Sequence, residues 1–468
     1  MKKVTLLILA SVLMLAGCTS KENATSQSDS ASEPEISSES SSEESSSEEI
    51  IEDLDVDITT SASLSGRSKS YPITFTYNSA YFNQPSDEFN KDIAMLSFGL
   101  SLTTGSRTAM YNFLNDLRFK DLYFSSVYYD GTTEDSIGYS FAHKAIGKQH
   151  LVLVTVRGCD YGLEWSSNLK LGKEGNHEGF NEAAEMVVND LDTYLKKHNQ
   201  ESPKVLITGY SRGGAVANVA SDILLQREES KKLFKDEDLY SYTFETPRGC
   251  AEAREYKNVF NIINSMDLIP SFAPAEYGMY RCGVDVDIVR TDVDDLMKEY
   301  DADFVLPAFT PEENTFKTEQ EFIAYILKSI LTNDTDTRPI MTRAQFVDNA
   351  QPTLQYFLKM FFCLKQSTVN KLSSDLSEKD AWTMFTIISS GQALHDFFKP
   401  YLDEDGYQYD DDELLTRCNE VSELLIQGPF VMLVAAFAAY KDNLMRVIDI
   451  HYLDVNYVLL NAYDPYAK

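Results

Sequence analysis

Residues Val205 to Ala220, VLITGYSRGGAVANVA, change character midway. A short apolar run reaches Gly209-Tyr210-Ser211-Arg212-Gly213 and then continues in small, helix-compatible residues. A buried strand that turns directly into a helix brings the backbones two residues before and two after the serine close together. Only small residues fit there. Gly209 and Gly213 meet that need, and Gly214-Ala215 extends the small patch. A strand, a tight turn and a helix in immediate succession belong in a layered α/β fold.

The chain on either side agrees. YPITFTY (Tyr71 to Tyr77) alternates like an opening strand, and two helical stretches follow, roughly Ser86 to Leu102 and Arg107 to Phe119. IGYSFAHKAI and HLVLVTV flank Gly147-Lys148-Gln149 as a hairpin. From His177 to His198 one helical face carries Phe180, Ala183, Ala184, Val187, Val188, Leu191 and Leu195. KVLIT, YSYTF and NVFNII read as further strands, so a mostly parallel central sheet covered by helices is expected. VDVDIVR adds one more candidate strand, after which Thr318 to Asn443 reads mainly as helices rich in Phe, Tyr, Met and Leu, such as LQYFLKMFFCL and FVMLVAAFAAY. The expected divisions are an α/β domain over 70–283 and 444–468, with a mainly helical insertion or cap over 284–443.

The N-terminus stands apart. MKKVTLLILASVLMLAGC has two lysines, an apolar stretch too short to span a bilayer comfortably, and small residues before Cys18. Residues 1–17 therefore read as a signal peptide. Leu15-Ala16-Gly17-Cys18 resembles the lipobox of bacterial lipoproteins, which implies lipidation of Cys18 and an extracytoplasmic, membrane-anchored protein. Residues 18–57 are Ser- and Glu-rich and too poor in apolar side chains to offset the entropy of ordering, so a disordered tether is expected. Its like charges extend it to about 35 Å or more. It carries about a dozen of the chain's net −32 charges, and the remainder is still acidic, which argues against nucleic acid as a partner. Five cysteines beyond Cys18, widely spaced, describe neither a disulfide framework nor a cysteine zinc site; no cofactor and no structural metal are expected.

A serine hydroxyl is a poor nucleophile without a base, and the base needs an orienting acid. On an elbow of this kind the order along the chain is Ser, acid, His. Asp267 follows the strand NVFNII and supplies the acid. Two histidines come later. His395 lies in the helical stretch SSGQALHDFFKPYL, and His451 follows the strand-like MRVIDI; a base on a loop at a strand end favours His451, with His395 as its rival.

From about Ser140 to Pro274 the chain resembles the class 3 lipases, the fungal-type α/β hydrolases. LVLVTVRGCDYGLEWSSNL is similar to that family's strand, Arg-Gly-Ser/Thr turn and Trp-containing lid segment. HEGF, ITGYSRGGAVANVA, YTFETPRG and NIINSMDLIPSFAP follow in the family's order. The resemblance implies Ser211 as nucleophile, Asp267 as acid and His451 as base. It also implies an oxyanion hole from the backbone N–H groups of Cys159 and Arg212, and gives His177 a structural role. Cys159 departs from the pattern, putting a weakly donating thiol where the family has a hydroxyl. The 184 residues between Asp267 and His451 also exceed the family's short connection.

The expected function is that of a serine hydrolase cleaving carboxylic esters, acyl lipids foremost, without a cofactor. A peptidase or thioesterase on the same scaffold is the enzymatic alternative. A lipoprotein that keeps the shell but only binds a ligand or partner is the other.

Overall fold

The computed structural model describes residues 54–60, 71–126, 128, 137–158, 163–198, 200–333, 336–339, 341–377, 381–426 and 440–466. The signal peptide, Cys18 and Cys159 lie outside them.

The expected hairpin forms from β4 (Tyr139–Ile146) and β5 (Gln149–Val156), with β3 (Lys120–Phe124) antiparallel on its outer side. From β5 the sheet turns parallel, through β6 (Lys204–Tyr210), β7 (Leu239–Phe244), β8 (Val259–Ile263) and β9 (Val284–Asp287). The seven strands lie in sequence order in one mixed, mostly parallel sheet. β9 carries this sheet past residue 283, where the sequence had suggested an insertion beginning. Its four residues alternate with acid (VDVD), which is why they blend into the polar segment that follows.

Side chains alternate across β5 and β6, and each face meets its own helices. Val152, Val154, Val156, Val205 and Ile207 pack with Ala184, Val187, Val188 and Leu191 of α3 (Glu178–Lys197) and with Val216, Val219 and Ala220 of α4 (Arg212–Gln226). Leu151, Leu153 and Leu206 face the other way. They meet α1 (Lys91–Thr103), α2 (Arg107–Asp116) and α13 (Leu453–Ala462), through Phe98, Leu114 and Leu459 among others. α1 starts at Lys91 rather than Ser86, because Asn90 caps it by accepting hydrogen bonds from the Asp92 and Ile93 N–H groups.

Ahead of this core, β1 (Leu54–Thr60) pairs antiparallel with β2 (Tyr71–Tyr77), so the last residues of the expected tether are a strand. Val56 is buried, while Asp55 and Asp57 accept from the hydroxyls of Thr76 and Thr74. The acidic composition masked a two-residue alternation.

Beyond β9, α5 (Val293–Tyr300) still joins the main core through Val293 and Met297. α6 (Glu319–Leu331) packs on α12 (Lys441–Asp449) through Phe322, Ile323, Ile326, Leu444, Val447 and Ile448. A separate apolar core joins α7 (Gln351–Cys363), α10 (Gly391–Asp405) and α11 (Asp411–Ile426), with α8 (Gln366–Ser377) and α9 (Ala381–Ile388) beside it. No helix among the described residues is long and apolar enough to cross a membrane. MRVIDI, expected as a strand, lies largely in α12. Leu444, Val447 and Ile448 recur at helical spacing, and this burial overrides the β-branched run.

Candidate active site

Tyr210 ends β6 and Arg212 begins α4, leaving Ser211 on the turn between them with φ 56° and ψ −124°. That region is strained for a residue with a Cβ, costing about 1–3 kcal/mol, and the surroundings hold it there. The Ser211 N–H donates to the Phe244 carbonyl of β7. The glycines are steric necessities. A Cβ on Gly209 would lie 2.3 Å from the Gly213 carbonyl oxygen, and one on Gly213 would lie 2.4 Å from that of Val156. The serine thus sits above the carboxyl ends of the parallel strands, with the first amides of α4 directed at the same space.

The acid is held in the loop after β8. One Asp267 carboxylate oxygen accepts from the Ile269 N–H at 2.8 Å, and the other accepts from His451 Nδ1 at 2.5 Å. His451 stands in the short turn between α12 and α13, with Nε2 2.9 Å from Ser211 Oγ. The Tyr210 hydroxyl donates to the His451 carbonyl, and Asn456 donates to that hydroxyl, which fixes the turn. The Leu268 N–H donates to the Val447 carbonyl, fastening the acid loop to the helix that carries the base.

Ser211, Asp267 and His451 therefore meet, although the third lies 240 residues beyond the first. His395 does not join them. It is buried in α10 with its ring nitrogens beside Asp396 at 3.1 Å and Asp411 at 3.3 Å. His177 caps α3, stacks on Phe180 with ring centroids 3.8 Å apart, and is pulled down to about 3 by burial. Arg212 turns its side chain to Asn168 and over the Phe180 ring, leaving only its backbone at the elbow. Gly158, next to Cys159, passes the same turn: a Cβ there would stand 3.3 Å from the Tyr210 carbonyl oxygen.

Glu245 completes the site and was not singled out from the sequence. It follows β7 with φ 44°, is 1% exposed, and accepts from the Asn264 N–H at 3.2 Å. Carboxylate and imidazole atoms of Glu245, Asp267 and His451 all lie within 4.8 Å of one another. Burial raises the Glu245 carboxyl well above its usual range, and the Asp267 charge and a hydrogen bond to Asp267 raise it further. Burial raises Asp267 too, but the bonds from Glu245 and the Ile269 N–H work against it. Two carboxyls buried this close together do not both ionise readily, which favours one shared proton between them. Burial pulls the His451 imidazole down to about 4, so it is neutral at pH 7. The available signal for Glu245 was its place in YTFETPRG, where the lipase motif has glycine.

A sequence model of the lipase (class 3) family matches residues 153–277. A lipase of Rhizomucor miehei is 34% identical over 115 residues, which are 23% of this chain and 31% of that lipase. Solved structures that match part of the chain include the R. miehei lipase–propeptide complex and the Lip2 lipase of Yarrowia lipolytica. The first is 20% identical, covers 45% of this chain and 70% of that one, and has a TM-score of 0.32. The second is 15% identical, covers 37% and 68%, and has a TM-score of 0.27. Over residues 153–277, which hold the elbow, Glu245 and Asp267, the chain matches the class 3 lipases.

Proposed function

We propose that this protein is a serine hydrolase of carboxylic esters, with acyl lipids as the substrate class. The observation that carries the reading is the relay from Ser211 Oγ through His451 to the buried Asp267, built on a strained strand–helix turn. As Oγ bonds to the ester carbonyl carbon, its proton passes to Nε2. Nδ1–H stays bonded to the Asp267 carboxylate, which steadies the imidazolium. The tetrahedral oxyanion rests on the Arg212 N–H at the start of α4, with the Cys159 N–H as the second donor. The carbon–oxygen bond to the alcohol breaks as Nε2 returns the proton to it. Water then repeats the sequence on the acyl-enzyme and frees the acid.

Glu245 acts in this reading as a positioning residue: its protonated carboxyl donates to Asp267 and holds the acid for His451. The helical region beyond α6 serves as a cap. It already grips the segment after β5, since Gln355 donates to the Ser166 carbonyl and Arg343 to the carbonyls of Leu171 and Gly172.

A fluorophosphonate probe tests the chemistry. Stoichiometric labelling of Ser211 is expected, at a rate level from about pH 8 to about pH 5 and falling only as His451, at about 4, gains a proton. Absence of labelling in the wild type, or labelling that survives Ser211→Ala, overturns the reading. A panel of esters from short to long acyl chains then defines the substrate. Cys18 anchors the protein outside the cytoplasmic membrane in this proposal. Cys18→Ala is expected to move it from the membrane fraction to the soluble one, and unchanged fractionation removes the anchor.

A further inference from the structure

Three of the six histidines gather far from the serine, with an aspartate among them. Asp121 lies on β3, His143 on β4, and His198 ends α3. The β3–β4 register shifts between Lys120 and Tyr123, and Asp121 has φ 51°, so the chain bends and its half-exposed carboxylate meets the two rings. One carboxylate oxygen stands 3.4 Å from His143 Nε2 and 3.6 Å from His198 Nδ1. A charge-assisted hydrogen bond would close to about 2.7–2.9 Å. Two donors on one tetrahedral ion with bonds of about 2.0–2.1 Å lie about 3.3–3.4 Å apart, close to the separations here.

The proton inventory points the same way. The Tyr194 hydroxyl has one hydrogen and gives it to the Asp121 backbone carbonyl at 3.0 Å. Its 2.9 Å contact with His143 Nδ1 must then be donated by the ring. With Nδ1 carrying the hydrogen, Nε2 of the neutral imidazole is a bare lone pair facing a carboxylate. Two acceptors face each other, and a cation between them resolves the conflict. Tyr194 supplies the outer hydrogen bond that ligating histidines need. His150 adjoins, with its ring 5.8 Å from that of His143 and its Nδ1 buried without a hydrogen-bond partner among the described residues.

We propose that Asp121, His143 and His198 form a binding site for Zn2+, with water in the fourth position. Its ligands come from three separate elements, β3, β4 and the end of α3. β5 runs parallel to β6, with Leu151 beside Lys204 and Val156 beside Gly209. His143, which pairs with Val152, therefore lies toward the strand ends away from Ser211. The ion clamps the sheet's outer strands to the end of α3 and takes no part in ester cleavage. A competing group, Asp222 with Cys250 and Cys282, is less suited, since Arg254 and Tyr256 already occupy the Asp222 carboxylate.

Zn2+ added to the metal-stripped full chain is expected to bind at one equivalent in competition with a chromogenic chelator. It should raise Tm by about 2–4 °C and leave fluorophosphonate labelling unchanged. Asp121→Asn and His198→Gln, both at partly exposed positions, should each weaken binding at least about 10-fold. Co2+ in place of Zn2+ should give a visible band without thiolate charge-transfer absorption. The site is refuted by less than one equivalent taken up, by affinity unchanged in both variants, or by a thiolate band.

Discussion

Ser211→Ala is expected to lower ester turnover by about 10^6-fold while leaving the fold intact. The loss is large because Oγ is the atom that bonds to the carbonyl carbon, and no other side chain can take over that bond. Its removal costs the structure little: Oγ touches His451 at the mouth of the turn, and alanine meets the same φ of 56° with a Cβ of the same kind. Thermal unfolding should coincide with wild type. Residual activity of a few per cent, with labelling that persists, would place the chemistry elsewhere.

Asp267→Asn should cost about 10^4-fold, the size seen when such an acid becomes an amide. The direction follows from the hydrogen bonds. The Ile269 N–H donates to one Asp267 oxygen, so in the variant the amide oxygen keeps that place and the NH2 faces His451. An NH2 donates to Nδ1, forces the hydrogen onto Nε2, and leaves nothing to accept the serine proton. Glu245→Gln provides the contrast. A glutamine NH2 donates to Asp267 as the protonated carboxyl does, so turnover should stay within about fivefold of wild type with an unchanged acid limb. Glu245→Ala removes the donor and should move the acid limb. If Glu245→Gln is as damaging as Asp267→Asn, the proton does not reside on Glu245.

The contrast between these carboxylates also marks what was legible in the sequence. Ser211 was readable because steric demand on Gly209 and Gly213 leaves a local signature. Asp267 and His451 followed from chain order and from what the serine requires, not from local pattern. The turn bearing His451 was right, but the element before it was not. Leu444, Val447 and Ile448 serve a helix, and only packing on α6 distinguishes that from a β-branched run. Glu245 was hidden for another reason. An isolated Glu in a polar context reads as surface, and its burial follows from the meeting of the β7 and β8 loops. Asp121, His143 and His198 were the least visible as a group. Their spacing along the chain means nothing until β3, β4 and α3 share an edge.

One consequence concerns the order of synthesis. The hydroxyl emerges 240 residues ahead of its base, about 12–48 s at ordinary elongation rates. Throughout that interval a nascent chain holds a serine with nothing to activate it, and no fragment ending before residue 451 contains the Ser211–His451 pair.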